Sequence, residues 1–123
     1  MLKSQLLEII ANGENSGVEF KRDDLRPEQF AKEIVALANF QGGYLLIGVE
    51  DDGTISGIHR ADLETWVMDT VFGRYVHPLI LPFYEEVAMD DGKRVAVISL
   101  TQGIAKPYVL RHNHREEIYV RVG

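Results

Sequence analysis

The feature that most constrains the fold is an apolar run, Tyr44-Leu45-Leu46-Ile47-Gly48-Val49, placed directly after an amphipathic segment. The run is apolar on both faces, which is typical of a strand in the middle of a sheet. The preceding segment starts at Pro27 and repeats apolar residues at helical spacing, so it predicts a helix with one face on a core. Gly42 and Gly43 are expected to end this helix. Together the two segments predict a helix packed on a sheet.

The rest of the chain predicts further short elements on both sides of this pair. Apolar residues at helical spacing predict two more helices, over 4–11 and 60–72. Alternating patterns predict strands over 17–22, 54–58, 83–89, 94–100, 108–111 and 116–122. The resulting order favours an α+β fold with about three helices and a mixed or antiparallel sheet.

Length and composition narrow the class of protein. The chain has 123 residues and no cysteine, which suits one domain over 1–123 and excludes disulfides, Cys-ligated metals and a thiol nucleophile. The absence of cysteine fits a protein of the reducing cytoplasm. No segment predicts a signal peptide or a membrane span, so no membrane partner is expected. The strand pattern persists to the last residues, so the chain is expected to be a minimal domain or the N-terminal part of a longer protein.

Basic side chains are concentrated toward the end of the chain. The net charge is -6 overall, which argues weakly against nucleic-acid binding. The segment 103–123, however, has four basic and two acidic residues, a net charge of +2. Its basic residues are Lys106, Arg111, Arg115 and Arg121, with Tyr108 and Tyr119 interleaved and His112 and His114 at a predicted turn. The segment is either a hairpin that contacts phosphates or an ordinary solvated hairpin whose charges oppose aggregation.

Three acidic residues lie where loops and strand ends could bring them together. Glu14 precedes the first predicted strand, Glu19 lies in it, and Asp51 follows the central strand. Carboxylate oxygens are suitable ligands for Mg²⁺ or Mn²⁺, and Lys21 could hold a phosphate oxygen. Alternatively, Glu14 is a solvated loop residue, Glu19 pairs with Lys21, and Asp51 begins a turn.

The glycines lie between a helix and a strand, the reverse of a Walker-type ATPase motif.

Two stretches of the sequence resemble a known family. They are Gly17-Val18-Glu19-Phe20-Lys21 and the run from Ala38-Asn39-Phe40-Gln41-Gly42-Gly43 through Gly48-Val49-Glu50-Asp51-Asp52-Gly53 to Ile55-Ser56-Gly57. With the closing Tyr119-Val120-Arg121-Val122-Gly123, they resemble the Schlafen AlbA_2 family. The resemblance extends over residues 6–123.

The resemblance implies an α+β domain that binds nucleic acid, chiefly DNA, within a transcriptional regulator or a helicase-related protein. It also implies an alternative, because some Schlafen proteins are metal-dependent endoribonucleases that act on structured RNA. Glu14, Glu19 and Asp51 match the positions of their acidic residues, and Lys21 matches the motif lysine. Those nucleases place two lobes around a basic groove. This single lobe would need a homodimer or a larger protein.

Three functions remain open from the sequence. The first is a binding domain that contacts the phosphates of DNA or RNA through Lys21, Arg22 and the C-terminal basic residues, Arg111, Arg115 and Arg121. The second is the Mg²⁺- or Mn²⁺-dependent endoribonuclease, with Glu14, Glu19, Asp51 and Lys21 as catalytic residues. The third is a protein-interaction or dimerisation module, which the acidic balance favours.

Overall fold

A computed structural model describes residues 1–122 and contains two sheets. Along the chain its elements are α1 (Lys3–Asn12), β1 (Val18–Lys21), α2 (Pro27–Asn39), β2 (Gly42–Ile47), α3 (Leu63–Trp66), a π-helical segment (Val67–Tyr75), β3 (Val76–His77), β4 (Phe83–Ala88), β5 (Arg94–Thr101), β6 (Val109–His112) and β7 (Arg115–Glu117). The predicted α+β class with helices on a mixed or antiparallel sheet is confirmed.

The first sheet has the strand order β1-β2-β5-β4. β1 and β2 are parallel and are joined through α2, whereas β5 is antiparallel to both β2 and β4. The apolar run predicted to be central forms β2, which has neighbours on both sides. Leu45 and Ile47 pack on one face of the sheet and Leu46 packs on the other.

Each face of the first sheet has its own core. On one face, Leu6 and Ile10 of α1 pack against Phe20 and the inward residues of the sheet. On the other face, α2 and the π-helical segment form the larger core with the second sheet. The burial of the apolar side chains in these two cores is the main term that stabilises such a layered fold.

The second sheet is small and has the order β3-β6-β7. Two-residue β3 pairs with β6, where Val76 lies opposite Leu110 and both side chains are buried. The hairpin predicted near His112 is confirmed, and Asn113 and His114 form its turn with positive φ. β3 was not predicted, because a two-residue strand has no periodicity to detect.

Two predicted strands are wrong or too long. Residues 54–58 form only one bridge, from Ile55 to Val49, because the amides of Ser56 and Gly57 both donate to the Gly48 carbonyl. The strand predicted over 116–122 ends at Glu117. Beyond it the chain turns onto α2, where the Arg121 amide donates to the Ala36 carbonyl.

The helix predicted over 60–72 begins later and changes type. The amide of Arg60 donates to the Asp23 carboxylate at 2.7 Å, and its guanidinium donates to the Asp23 and Leu25 carbonyls. Arg60 is thereby held outside the helix, which starts at Leu63 and becomes π-helical at Val67.

The prediction that Gly42 and Gly43 end α2 is also wrong. The helix ends at Asn39, and both glycines belong to β2. A Cβ at Gly43 would lie 2.2 Å from the Gly17 carbonyl oxygen, so glycine is required for β1 and β2 to approach.

Across residues 1–122, no helix is long and apolar enough to span a membrane. The cytoplasmic location expected from the absence of cysteine stays a prediction.

Candidate functional site

Four charged side chains meet between β1, α2 and the C-terminal segment, and we call them the charge cluster: Glu19, Lys21, Glu33 and Arg121. Glu19 and Lys21 share one face of β1, because side chains two apart on a strand point the same way. Lys21 Nζ lies 3.5 Å from Glu19 Oε1 and 3.3 Å from Glu33 Oε2 of α2.

Arg121 completes the cluster from the other end of the chain. Its Nη1 lies 3.6 Å from Glu19 Oε2 and 3.4 Å from Glu33 Oε1. Its Nη2 donates to the Asn15 carbonyl at 2.5 Å. Two cations therefore face two carboxylates, and the four side chains are between 12% and 22% exposed. Because little water reaches these side chains, the opposite charges of the partners are needed to stabilise each charged group.

Burial and neighbouring charges shift the pKa values within the charge cluster. Burial raises the pKa of Glu19, and the hydrogen bond and charge of Glu14 raise it further, against the opposing effects of Glu33 and Lys21. Burial, followed by the charge of Glu19, raises the pKa of Glu33. Burial by itself would lower the pKa of Lys21, but the carboxylates of Glu33 and Glu19 outweigh it and raise that pKa.

The three acidic residues predicted to act together are only partly brought together. Glu14 lies close enough to Glu19 to raise the pKa of its carboxyl. Asp51 is exposed and lines a separate cavity of about 510 Å³, which Lys21 and Arg22 also line. Within 1–122 no three His, Asp or Glu side chains are arranged to hold a metal ion. In this arrangement the trio does not fit Mg²⁺ or Mn²⁺, since Glu19 faces Lys21 and Arg121 instead.

The six basic residues predicted to bind nucleic acid are divided among several surfaces. Lys21 and Arg121 are largely buried in the charge cluster. Arg22 pairs with Asp24 at the cavity, and Lys106 donates to the Phe40 carbonyl at 3.1 Å.

Arg111 and Arg115 lie on the β6–β7 hairpin, where both are exposed. Arg111 pairs with Glu116 at 2.6 Å. Arg115 makes no ion pair with any of residues 1–122.

The second sheet also brings His112 together with residues that the sequence analysis missed. Tyr75 and His112 lie with ring centroids 5.5 Å apart and planes 39° apart. Arg74 is exposed beside them, and its carbonyl is 3.0 Å from His77 Nε2. Arg74, Tyr75 and His77 are far from the hairpin in sequence, and only the pairing of β3 with β6 brings them to it. The alternation in Tyr75-Val76-His77 is the one local signal.

The two tyrosines expected on the basic hairpin have other roles. Tyr108 is buried, and its amide donates to Asn39 Oδ1 at 2.7 Å. Tyr119 donates its hydroxyl to Glu117, and Lys32 Nζ lies 5.2 Å from its ring centroid. Tyr108 is therefore part of the core, and Tyr119 is only partly exposed.

The class is an α+β domain in which the Glu19-Phe20-Lys21 segment lies in β1 and the Gly48-Val49-Glu50-Asp51 segment directly follows β2. Residues 14–123 match the family described as Schlafen, AlbA_2, and the chain belongs to that family. The resemblance stated from the sequence is thereby confirmed. No curated protein matched the sequence.

Two solved structures share this fold. One is the N-terminal domain of an ATP-dependent DNA helicase RecG-related protein from Nitrosomonas europaea, at 21% identity and a TM-score of 0.72, with 100% of this chain and 90% of that one covered. The other is a protein from Corynebacterium diphtheriae, at 21% identity and a TM-score of 0.64, with 95% and 30% covered. At this identity they show the fold alone.

Proposed function

We propose that this chain is a nucleic-acid-binding domain of a regulator or helicase-related protein, and that it contacts mainly phosphates. Membership of the AlbA_2 family supports this, as does the likeness to an N-terminal domain of a helicase RecG-related protein. The observation that carries the proposal is the pair of exposed arginines on the β6–β7 hairpin, Arg111 and Arg115, in a chain whose net charge is -6.

The affinity for nucleic acid would come from exposed cations at the binding surface and not from the net charge of the chain. Each phosphate that a cation neutralises releases counterions, so a few exposed cations outweigh acidic groups on distant surfaces at low salt. Arg115 and Lys106 have no carboxylate partner among residues 1–122, whereas Arg22 and Arg111 would have to exchange theirs. Lys21 and Arg121 would contribute least, because each is engaged with Glu19 and Glu33.

A binding titration tests the proposal. Labelled duplex DNA and RNA are titrated with the protein at salt concentrations from about 50 to about 200 mM. Because phosphate contacts dominate, log K is expected to fall linearly with log salt. Binding no tighter than about millimolar at the lowest salt would overturn the proposal. A stable dimer by light scattering in that case would favour a dimerisation module instead.

The second candidate is the metal-dependent endoribonuclease, which the match of residues 14–123 to the Schlafen, AlbA_2 family favours. Glu19 would have to exchange Lys21 and Arg121 for the metal ion. Asp51 and Lys21 would be further catalytic residues of the nuclease. Structured RNA such as tRNA is incubated with Mn²⁺ and with either the native protein, Glu19→Gln or the control Glu116→Gln, which changes an exposed carboxylate. Cleavage that Glu19→Gln abolishes and Glu116→Gln retains would support the nuclease. Equal cleavage by all three proteins would exclude this site.

A further inference from the structure

Tyr75, at the end of the π-helical segment, and His112, in the second sheet, form an aromatic pair that is partly exposed to solvent. Both rings are half-buried: one side of Tyr75 packs on the larger core, and His112 is the last residue of β6. The side-chain nitrogen Nδ2 of Asn113 lies 3.1 Å from His112 Nε2, which restrains the imidazole. The core contact of Tyr75 and the contact of His112 with Asn113 hold the two rings next to each other.

The charges around this pair are mostly positive. Arg74 precedes Tyr75 in the chain, and Arg115 lies opposite His112 in the β6–β7 register. Both are exposed, and neither forms an ion pair within 1–122. Of the two glutamates on β7, Glu116 pairs with Arg111, and Glu117 accepts the Tyr119 hydroxyl but keeps its charge, so the two arginines outnumber it.

We propose that Tyr75 and His112 form a stacking platform for an unpaired base, and that Arg74 and Arg115 bind the flanking phosphates of a single strand. The inference deepens the proposed function and rests on it. Every base has a π-face, so stacking on aromatic rings tolerates any sequence, while neighbouring cations follow the backbone. An unpaired base is required, because bases inside a duplex are already stacked on each other.

Another exposed aromatic side chain shows why charge matters here. Phe83 is 62% exposed and offers more apolar surface than Tyr75. It lies on β4, however, which also carries Glu85 and Glu86. A nucleic-acid strand stacked on Phe83 would bring its phosphates toward these carboxylates, so Phe83 provides a matched control for Tyr75.

The test compares single-stranded and duplex ligands by fluorescence anisotropy at about 50 mM salt. The ligands are a labelled ten-nucleotide oligothymidine and a duplex of the same length. The proteins are the native chain, Tyr75→Leu, Tyr75→Trp and Phe83→Leu. Leucine keeps the apolar contact with the core but removes the ring, whereas tryptophan keeps a stacking face. Thermal unfolding of each variant establishes that it is folded.

Tyr75→Leu is expected to weaken single-strand binding about tenfold, consistent with the loss of one stacked base. Duplex binding is expected to stay unchanged, and Tyr75→Trp and Phe83→Leu are expected to bind both ligands as the native chain does. An equal loss for both ligands, or no loss for Tyr75→Leu, would overturn the platform but leave the proposed function standing. If the native chain binds neither ligand, both proposals fail together.

Discussion

The charge cluster and the exposed hairpin both contain basic residues, but these residues have different roles in the two regions. In the cluster, Lys21 and Arg121 are 22% and 15% exposed, and each faces two carboxylates. On the hairpin, Arg111 is 53% exposed with one exposed partner, and Arg115 has none within 1–122. A buried cation is needed to balance buried anions, whereas an exposed one can exchange its partner for a ligand. Position in the fold, and not residue type, decides which role a basic residue has.

The largest effect is expected from removing Arg121. Arg121→Met should lower the free energy of unfolding by about 3 kcal/mol, because it leaves Glu19 and Glu33 with one buried cation between them. Chemical denaturation measures this. Arg115→Met is the matched control and should change the stability by less than about 0.5 kcal/mol, as an exposed position does. Similar losses in both variants would abolish the distinction between the two regions.

The pH dependence of stability is expected to come from the same cluster. Burial raises the pKa of Glu19 and Glu33 above their value of 4.5 in the unfolded chain. Between 4.5 and the raised values the folded state holds more protons, so this contribution to stability falls as the pH rises.

Glu33→Gln should flatten that part of the stability profile, measured by denaturation at successive pH values. Glu116→Gln on the exposed hairpin should leave the profile as it is. A profile unaffected by Glu33→Gln would show that burial does not shift its titration.

A smaller effect is expected on the salt dependence of binding. Arg115→Gln should reduce the slope of log K against log salt by about one, the amount for one lost phosphate contact. The control is Arg94→Gln, which removes an exposed cation that pairs with Glu86 on the first sheet. Equal slopes for the two variants would place the phosphate contacts away from the hairpin.

The smallest effect is expected from the exposed pair on the hairpin. Arg111 and Glu116 lie 2.6 Å apart, but both are more than half exposed, so their coupling should be below about 1 kcal/mol. A double-mutant cycle with alanine at both positions measures it. A coupling as large as that between Arg121 and Glu33 would contradict the role of burial in this comparison.

The local elements, including the β6–β7 hairpin, were largely predictable, while the pairing of β3 with β6 was not. The α2 helix begins at Pro27 as predicted, and the apolar run forms the central strand, because periodicity over many residues is a strong signal. The strand expected over 54–58 fails because backbone amides there bond across the end of the sheet.

The candidate site was predictable in part. The sequence identified Glu19, Lys21 and Arg121, but it did not pair them with Glu33, which enters only when α2 packs on β1. It likewise missed Tyr75, because a two-residue strand brings that residue to the hairpin. Contacts between residues this distant leave no local pattern.

The sequence by itself determined the family, the α+β class and the places where charge is concentrated, since these follow from motifs, periodicity and composition. Only the tertiary structure decided which charges are withdrawn from water. Burial turns Lys21 and Arg121 into partners of Glu19 and Glu33, and exposure leaves Arg115 available to a ligand. The physical reason is that the interaction energy of a charged group depends on how much water surrounds it and on which charges lie nearby. The order of residues does not specify either of these.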